Sequence, residues 1–302
     1  MIKEASRPPR RYSIGAFAFD AETLAPGLYI VATPIGNLGD VTLRALATLA
    51  AADTVLCEDT RITARLFERF AIRTPLAPYH EHNAAKVRPG ILAQLKEGQR
   101  IALVSDAGMP LVSDPGYRLV REAIAQGSAV TACPGPSAVL TGLALSGLPS
   151  DRFAFLGFVP QKSGERRKLL QEMAPLRATL IFFDSPHRIC DTLADIAQIL
   201  PGREVAVARE LTKLYEEMLR GPAAEVAATL AGRPAIKGEI TLLIGPAADQ
   251  AAAISDAELA AEIAVVLTQL PASRAAVEIA RRHGLSKKEV YDRILALKSA
   301  DG

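Results

Sequence analysis

From residue 27 onward, short apolar runs alternate with longer segments whose apolar residues recur every three or four positions. LYIVAT (28–33), TVLCE (54–58), IALV (101–104) and AVTAC (129–133) have the length of buried strands. TLRALATLAAA (42–52) reads as a helix with Leu43, Leu46 and Leu49 on one face. TARLFERF begins another helix, with Thr60 or Thr63 as its cap. A Pro- and His-containing loop is expected at 74–83, with helices near 91–97 and 117–126 and over AVLTGLALSG. This alternation predicts a mostly parallel sheet covered on both faces. SGLPSDRF (146–153) marks a boundary between two halves. Beyond it FAFLGFV, TLIFFD, EVAVAREL, YEEMLRG and EITLLIG (239–245) read as strands, with helices near 164–173 and 188–199 and over PAAEVAATLAG. The expected organisation is a flexible basic tail (1–26), two α/β domains (27–149 and 150–246), an Ala-rich linker, and a helical extension (256–300).

Composition narrows the class. The chain has 302 residues, 49% hydrophobic and 23% charged, as in an ordinary soluble protein. A formal net charge of +2 excludes a uniformly basic nucleic-acid binder and leaves local patches open. No apolar run reaches membrane-spanning length, and the N-terminus lacks the apolar core of a signal peptide. Cys57, Cys133 and Cys190 match neither a disulfide framework nor a zinc site, so a cytoplasmic protein is expected.

The chemistry lies in the loops. Ser105-Asp106-Ala107-Gly108-Met109-Pro110-Leu111-Val112-Ser113-Asp114-Pro115-Gly116 follows an apolar strand and precedes a helix. Two Asp, two Gly and two Pro in twelve residues specify a backbone shape rather than a core. Ligands of open α/β sheets bind beyond the carboxyl ends of the strands, which places a small molecule here. Thr33-Pro34-Ile35-Gly36-Asn37-Leu38-Gly39-Asp40 is neither a Walker loop nor a dinucleotide fingerprint. Pro134-Gly135-Pro136-Ser137 opens a helix that Ser137 can cap. RELTK (209–213) and KGEIT (237–241) supply further loops in the second half. His80 and His82 flank Glu81, but further ligands at metal spacing are lacking, and no metal is expected.

Seven motifs in order carry a specific resemblance: VATPIGNLGDVTLRA, CEDTR, LVSDAGMPLVSDPG, PGPSAVLTGLALSGLP, FFDSPHRI, ARELTKLYEE and KGEITLLIG. Together they resemble the ribosomal branch of the tetrapyrrole methylase superfamily over residues 27–246. The resemblance implies two α/β domains with S-adenosylmethionine in the cleft between them, and a homodimer. It also implies methyl transfer to the ribose 2′-hydroxyl of a cytidine in the decoding centre of small-subunit (16S) ribosomal RNA, within the 30S subunit. By the family pattern, Pro34, Ser105, Asp106, Ala107, Met109, Pro110, Leu111, Ser137 and Ala138 line the cofactor from the first domain. Phe183, Leu211, Thr212, Glu239, Ile240 and Thr241 do so from the second. Met109, Leu111 and Phe183 suit an adenine face, and Asp106 suits a sulfonium or a ribose hydroxyl.

The 2′-hydroxyl is a poor nucleophile and needs a base or a nearby cation. Asp59 and Arg61 of CEDTR and Lys213 are the catalytic candidates, with Glu58 and Glu210 beside them; which group takes the proton stays open. Lys162, Arg166, Arg167 and Lys168 form a phosphate-steering patch, and Arg188 begins a helix where it can meet phosphate. SRAAVEIARRHGLSKKEVYDRILAL resembles a helix-turn-helix, with Ser286 as cap and Tyr291, Ile294 and Leu295 packing back. Arg281, Arg282, Lys287 and Lys288 cluster at its turn as RNA contacts. Porphyrin-type members carry GxGPGD and GDP where this chain has PIGNLGD and SDAG, which tells against a tetrapyrrole substrate. The alternatives are a tetrapyrrole C-methyltransferase and a non-catalytic, cofactor-sensing RNA-binding module.

Overall fold

A computed structural model of the protein describes residues 10–113, 115–247, 256–283 and 285–300. Lys3 and Arg7 of the expected tail, Asp114, most of the Ala-rich linker and Gly284 lie outside the described residues. The chain divides into two compact units, Met1–Ala174 with Ala178–Pro246, and Pro175–Arg177 with Ala247–Gly302.

The larger unit opens with a hairpin where a tail was expected. β1 (Arg11–Ile14) pairs antiparallel with β2 (Phe17–Asp20). Tyr12 stacks on Phe19 with ring centroids 5.4 Å apart and is buried in the core beside Leu46 and Phe70. Alternating aromatic residues in RYSIGAFAFD are the signal that the cluster of Arg and Pro around them obscured.

The first sheet contains β3 (Gly27–Val31), β4 (Thr54–Cys57), β5 (Leu76–Pro78), β6 (Arg100–Leu103) and β7 (Val130–Cys133). It is parallel throughout, in the order β5-β4-β6-β3-β7. Its helices are α1 (Leu43–Ala51), α2 (Thr60–Arg69), α3 (Glu81–Lys96) and α4 (Tyr117–Ala125), and α5 (Ala138–Ser146) follows β7. Two apolar clusters lie against it, one holding Leu46, Leu49 and Phe67, the other Tyr79, Leu92 and Leu119. The cap of α2 is Asp59, whose carboxylate accepts from the Arg61 amide at 2.8 Å, and not Thr60 or Thr63. The 74–83 segment holds a short strand and the first turn of α3 rather than a loop. α3 begins ten residues before the helix expected near 91–97, and Pro89 lies inside it.

The second sheet is mixed: β8 (Phe153–Phe158), β9 (Thr179–Asp184), β10 (Glu204–Arg209), β11 (Glu217–Pro222) and β12 (Ile240–Ile244), in the order β11-β10-β12-β9-β8. Only β8 and β9 run parallel. α6 (Ser163–Met173), α7 (Ile189–Ile199) and α8 (Ala223–Ala231) cover one face, around Leu193, Val226 and Leu242. The other face is covered by α5 from before the expected boundary: Val139 and Leu143 join Ile181, Ala206 and Leu243. Gly142 lets that helix approach closely, since a Cβ there would stand 3.2 Å from Thr241 Cγ2. The two halves therefore share a core.

The smaller unit holds α9 (Asp256–Leu267), α10 (Ala272–His283) and α11 (Lys287–Ala300) around Ile263, Ile279 and Ile294. Ser286 Oγ accepts from the Glu289 amide at 3.1 Å, as expected of a cap. Ile294 is buried, whereas Tyr291 and Leu295 are exposed instead of packing back. Within the described residues no helix is long and apolar enough to cross a membrane.

Candidate active site

The sheet order brings the special loops together. β6 lies between β3 and β4, so the loops leaving their carboxyl ends are neighbours. Thr33 and Gly108 exchange backbone hydrogen bonds of 2.9 and 3.1 Å. Thr33 Oγ1 donates to the Ser105 carbonyl at 3.0 Å, and Ser105 Oγ donates to the Gly108 carbonyl at 3.1 Å. The Asp59 amide donates to Asp106 Oδ1 at 3.0 Å, tying CEDTR to the double loop. On the second sheet, antiparallel pairing brings the end of β9 and the end of β10 to the start of β12. The Glu210 amide donates to the Glu239 carbonyl at 3.0 Å, and the Glu239 amide donates to Glu210 Oε1 at 2.9 Å.

Between these loop sets lies a cavity of about 460 Å³, within the usual range for small-molecule sites. Of the residues that the family resemblance assigns to the cofactor, Asp106, Ala107, Met109, Ser137, Ala138, Phe183, Leu211, Glu239, Ile240 and Thr241 line it. Pro34, Ser105, Pro110, Leu111 and Thr212 are not on its wall. Ser105 is buried and spends its hydroxyl on the double loop. Leu111 packs on the core beneath. Thr212 neighbours the wall at φ 62°, with a buried hydroxyl that lacks a partner among the described residues.

The backbone is bent against preference around this cavity. Leu111 (φ 76°) and Ser113 (φ 64°) lie on one side, Glu210 (φ 53°) and Thr212 (φ 62°) on the other. A β-branched residue in that region is strained, and such strain collects at functional sites.

Several wall residues had no role assigned from sequence: Ile35, Val112, Ser113, Phe158, Asp184, Ser185, Pro186 and Gly238. Asp184 matters most. Its side chain is fully buried. Oδ1 accepts from the Ser185 amide at 2.7 Å and from Arg188 Nη2 at 3.4 Å. Oδ2 is buried and has no partner among the described residues. A carboxylate ending an apolar strand was the available signal.

The wall carries Asp106, Asp184 and Glu239 and no Lys, Arg or His. It suits a cationic ligand bearing hydrogen-bond donors and disfavours phosphates. S-adenosylmethionine, with its sulfonium, ammonium and ribose hydroxyls, fits on both counts. The unpartnered Asp184 oxygen is the kind of group such a donor satisfies.

The catalytic candidates are mutually restrained. The Arg61 guanidinium sits on Asp59 at 2.6 Å, and hydrogen bonds from its side chain and amide pull the Asp59 carboxyl down to about 2. Lys213 Nζ lies 2.9 Å from Glu210 and 3.1 Å from Glu239. Burial alone would lower the Lys213 pKa, but those two carboxylates outweigh it and raise it. The Lys213 bond holds Glu210 below its ordinary value. Lys213 is thus a fixed cation across the loop.

Gly36, at φ 151°, accommodates this lysine, since a Cβ there would lie 2.6 Å from Lys213 Cε. Gly36→Ala should therefore displace a side chain that two carboxylates hold. The expected cost is about 1–3 kcal/mol of stability, read by chemical denaturation, together with weaker donor binding in calorimetry.

A second groove, lined by Glu58, Asp59, Arg61, His80 and His82, shares Asp106 with the cavity. Asp106 Oδ2 has no hydrogen bond among the described residues. Within those residues no group of three His, Cys, Asp or Glu side chains is arranged to hold a metal ion.

The expected RNA contacts divide sharply. Arg166 is buried and bonds Asp195 Oδ2 at 2.6 Å, so it is a core residue and not a phosphate ligand. Arg167 is held by Asp195 at 2.7 Å and Gln198 at 2.5 Å. Arg188 is turned to Asp184. Lys162 and Lys168 are exposed, beside Glu165 and Glu172. In the smaller unit Arg281 pairs with Glu278 and Arg282 with Glu262, while Lys287 and Lys288 are exposed.

Comparison with known proteins agrees with this architecture. The methyltransferase CobJ superposes with a TM-score of 0.53 at 21% identity, over 74% of this chain and 95% of that one. Diphthine synthase gives 0.53 at 15% identity, over 72% and 89%. At those identities the likeness is one of fold. Among sequence relatives, ribosomal RNA small subunit methyltransferase I of Mesorhizobium japonicum is 49% identical over 96% of this chain and 98% of its own length. The protein of that name from Erythrobacter litoralis is 50% identical over 92% and 98%. A profile of the RsmI C-terminal HTH domain matches residues 247–298. The profile of the tetrapyrrole (corrin/porphyrin) methylases matches residues 27–227, and the chain belongs to that family, in the group of the ribosomal RNA small subunit methyltransferases I.

Proposed function

We propose that this S-adenosylmethionine-dependent methyltransferase modifies the ribose 2′-hydroxyl of a cytidine in the decoding centre of small-subunit (16S) ribosomal RNA. The names of its relatives support a small-subunit RNA acceptor. The observation that carries the reading is a cation-favouring cavity sharing one carboxylate, Asp106, with a neighbouring groove. Donor and acceptor must meet within bonding reach, and a common wall is where they can.

Bound S-adenosylmethionine supplies an electrophilic methyl group. Asp184, Glu239 and the Ser137–Ala138 helix start would hold it, with Met109, Ile240 and Phe183 against its apolar faces. Asp106 is the carboxylate we assign to receive the hydroxyl proton as the oxygen attacks. Asp59 presents its amide to Asp106 and so positions it. Arg61 keeps Asp59 ionised. Lys213 ties Glu210 to Glu239 and holds that side of the cavity in place. Lys287 and Lys288 are the exposed cations assigned to RNA phosphate. The acting species is a homodimer on the assembled 30S subunit in the cytoplasm.

Deleting the gene and mapping ribose methylation tests the assignment. Loss of one 2′-O-methylcytidine from the decoding centre, restored by the wild-type gene, is the expected result. Unchanged methylation there refutes it. Methylation of a porphyrinogen by the purified protein, with none on ribosomal subunits, would favour a tetrapyrrole acceptor. Light scattering of the purified protein reads the dimer.

A further inference from the structure

We propose that a groove beside the donor cavity binds the nucleotide next to the methylated one, in single-stranded RNA, by stacking its base on Tyr117. The inference rests on the RNA acceptor proposed above. The groove encloses about 650 Å³ and is bounded by the start of α4 and by Tyr79, Glu81 and Arg88. Ser113 lines both this groove and the donor cavity. Glu58 lines both this groove and the one around Arg61 and His80. The three depressions thus adjoin through shared residues. An RNA strand whose target ribose reaches Asp106 must pass its neighbouring nucleotide through adjoining space.

Tyr117 is the unexplained feature of that space. The residue is 67% exposed, although Leu119, two residues on, is fully buried. The backbone that carries it is closely packed. Gly116 precedes it at φ 134°, where a Cβ would stand 2.7 Å from both Leu103 and Leu111. An exposed aromatic face beside an RNA-modifying site is a stacking platform that accepts any base. Bases in a duplex are already stacked on each other, so the segment taken here is single-stranded.

Charge decides the mode of binding. Arg118 is exposed in the groove. Arg88 is engaged by Glu122 at 2.9 Å. Glu58 and Glu81 offset them, so the groove is not a cationic track. Stacking, rather than phosphate contact, carries the binding, and its contribution should depend little on salt.

The test compares wild type with Tyr117→Ala and Tyr117→Phe on small ribosomal subunits from a strain lacking the gene. KM and kcat are measured at two salt concentrations, with S-adenosylmethionine affinity and Tm as controls. Tyr117→Ala should raise KM for the subunits about 5- to 100-fold, by the same factor at both salts. Its donor affinity and Tm should stay unchanged, and Tyr117→Phe should behave as wild type. An unchanged KM in Tyr117→Ala overturns the proposal. So does an equal loss in Tyr117→Phe, which would assign the effect to the hydroxyl, or a loss confined to low salt, which would assign it to phosphate. If wild type modifies no small subunits, the acceptor reading itself fails. Anisotropy with a single-stranded RNA oligonucleotide then judges Tyr117 separately: weaker binding by Tyr117→Ala alone upholds the stacking site, and equal binding by all three proteins removes it.

Discussion

Arg166→Ala is expected to destabilise the larger unit by about 3 kcal/mol, seen as a lower denaturation midpoint, while RNA affinity of the folded protein is unchanged. Arg166 and Asp195 side chains are 6% and 7% exposed, at the contact between α6 and α7. Removing the guanidinium leaves a buried carboxylate with only Arg167 to answer it, 2.7 Å away. That remaining partner keeps the expected cost at the low end for a broken buried pair. A paired Arg166→Met, Asp195→Leu variant should recover much of the loss, because the cost comes from an uncompensated charge rather than from lost attraction. The pH dependence has a definite sign. Burial alone would raise the Asp195 pKa, but hydrogen bonds from Arg167 and Arg166 outweigh it and lower it. The pair's contribution is therefore fully present above the ordinary carboxylate range and is lost as pH falls through the depressed folded value. Loss of RNA binding at unchanged stability would refute this account.

Asp184→Asn is expected to weaken S-adenosylmethionine binding about 10- to 100-fold, measured by calorimetry, with a small change in Tm. The substitution keeps size and shape but removes the charge and replaces one acceptor oxygen by an amide. The unpartnered Oδ2 on the cavity wall then offers less to a cationic, donor-bearing ligand. 5′-Methylthioadenosine, which lacks the amino-acid end, locates the contact. An equal loss for both ligands places Asp184 against the adenosine portion, and a loss for S-adenosylmethionine alone places it against the sulfonium or the ammonium, the two charges that 5′-methylthioadenosine lacks. Unchanged affinity for both would remove Asp184 from the site.

Periodicity made the strands and most helices legible, because buried strands and one-faced helices leave local patterns. The first sheet is parallel, as strand–helix alternation required. The loops at strand ends were legible through their Pro, Gly and Asp content, and the ordered motifs gave the family. Where reading failed, a local cue competed with a distant contact. Arg and Pro around residues 8–11 masked a hairpin that Tyr12 anchors in the core. The first turns of α3, EHNAAKVRPG, have Val87 as their one large apolar residue and so left no apolar stripe to read. ERRK reads as part of a phosphate-steering patch, yet Arg166 shares its buried face with Leu170 and meets an aspartate 29 positions away.

By itself the sequence determined the alternating elements, the second sheet's place after residue 150, the loops that bear the chemistry, and membership in a methylase family. Those properties follow from residues near one another in the chain. Only the tertiary structure decided which charges are free and which are committed: Lys213 to Glu239 as well as to its neighbour Glu210, Arg166 to Asp195, and Asp184 with one buried oxygen left unpartnered among the described residues. Pairing and burial set whether a charged group can act, and both depend on partners that the folded sheets bring together from distant parts of the chain.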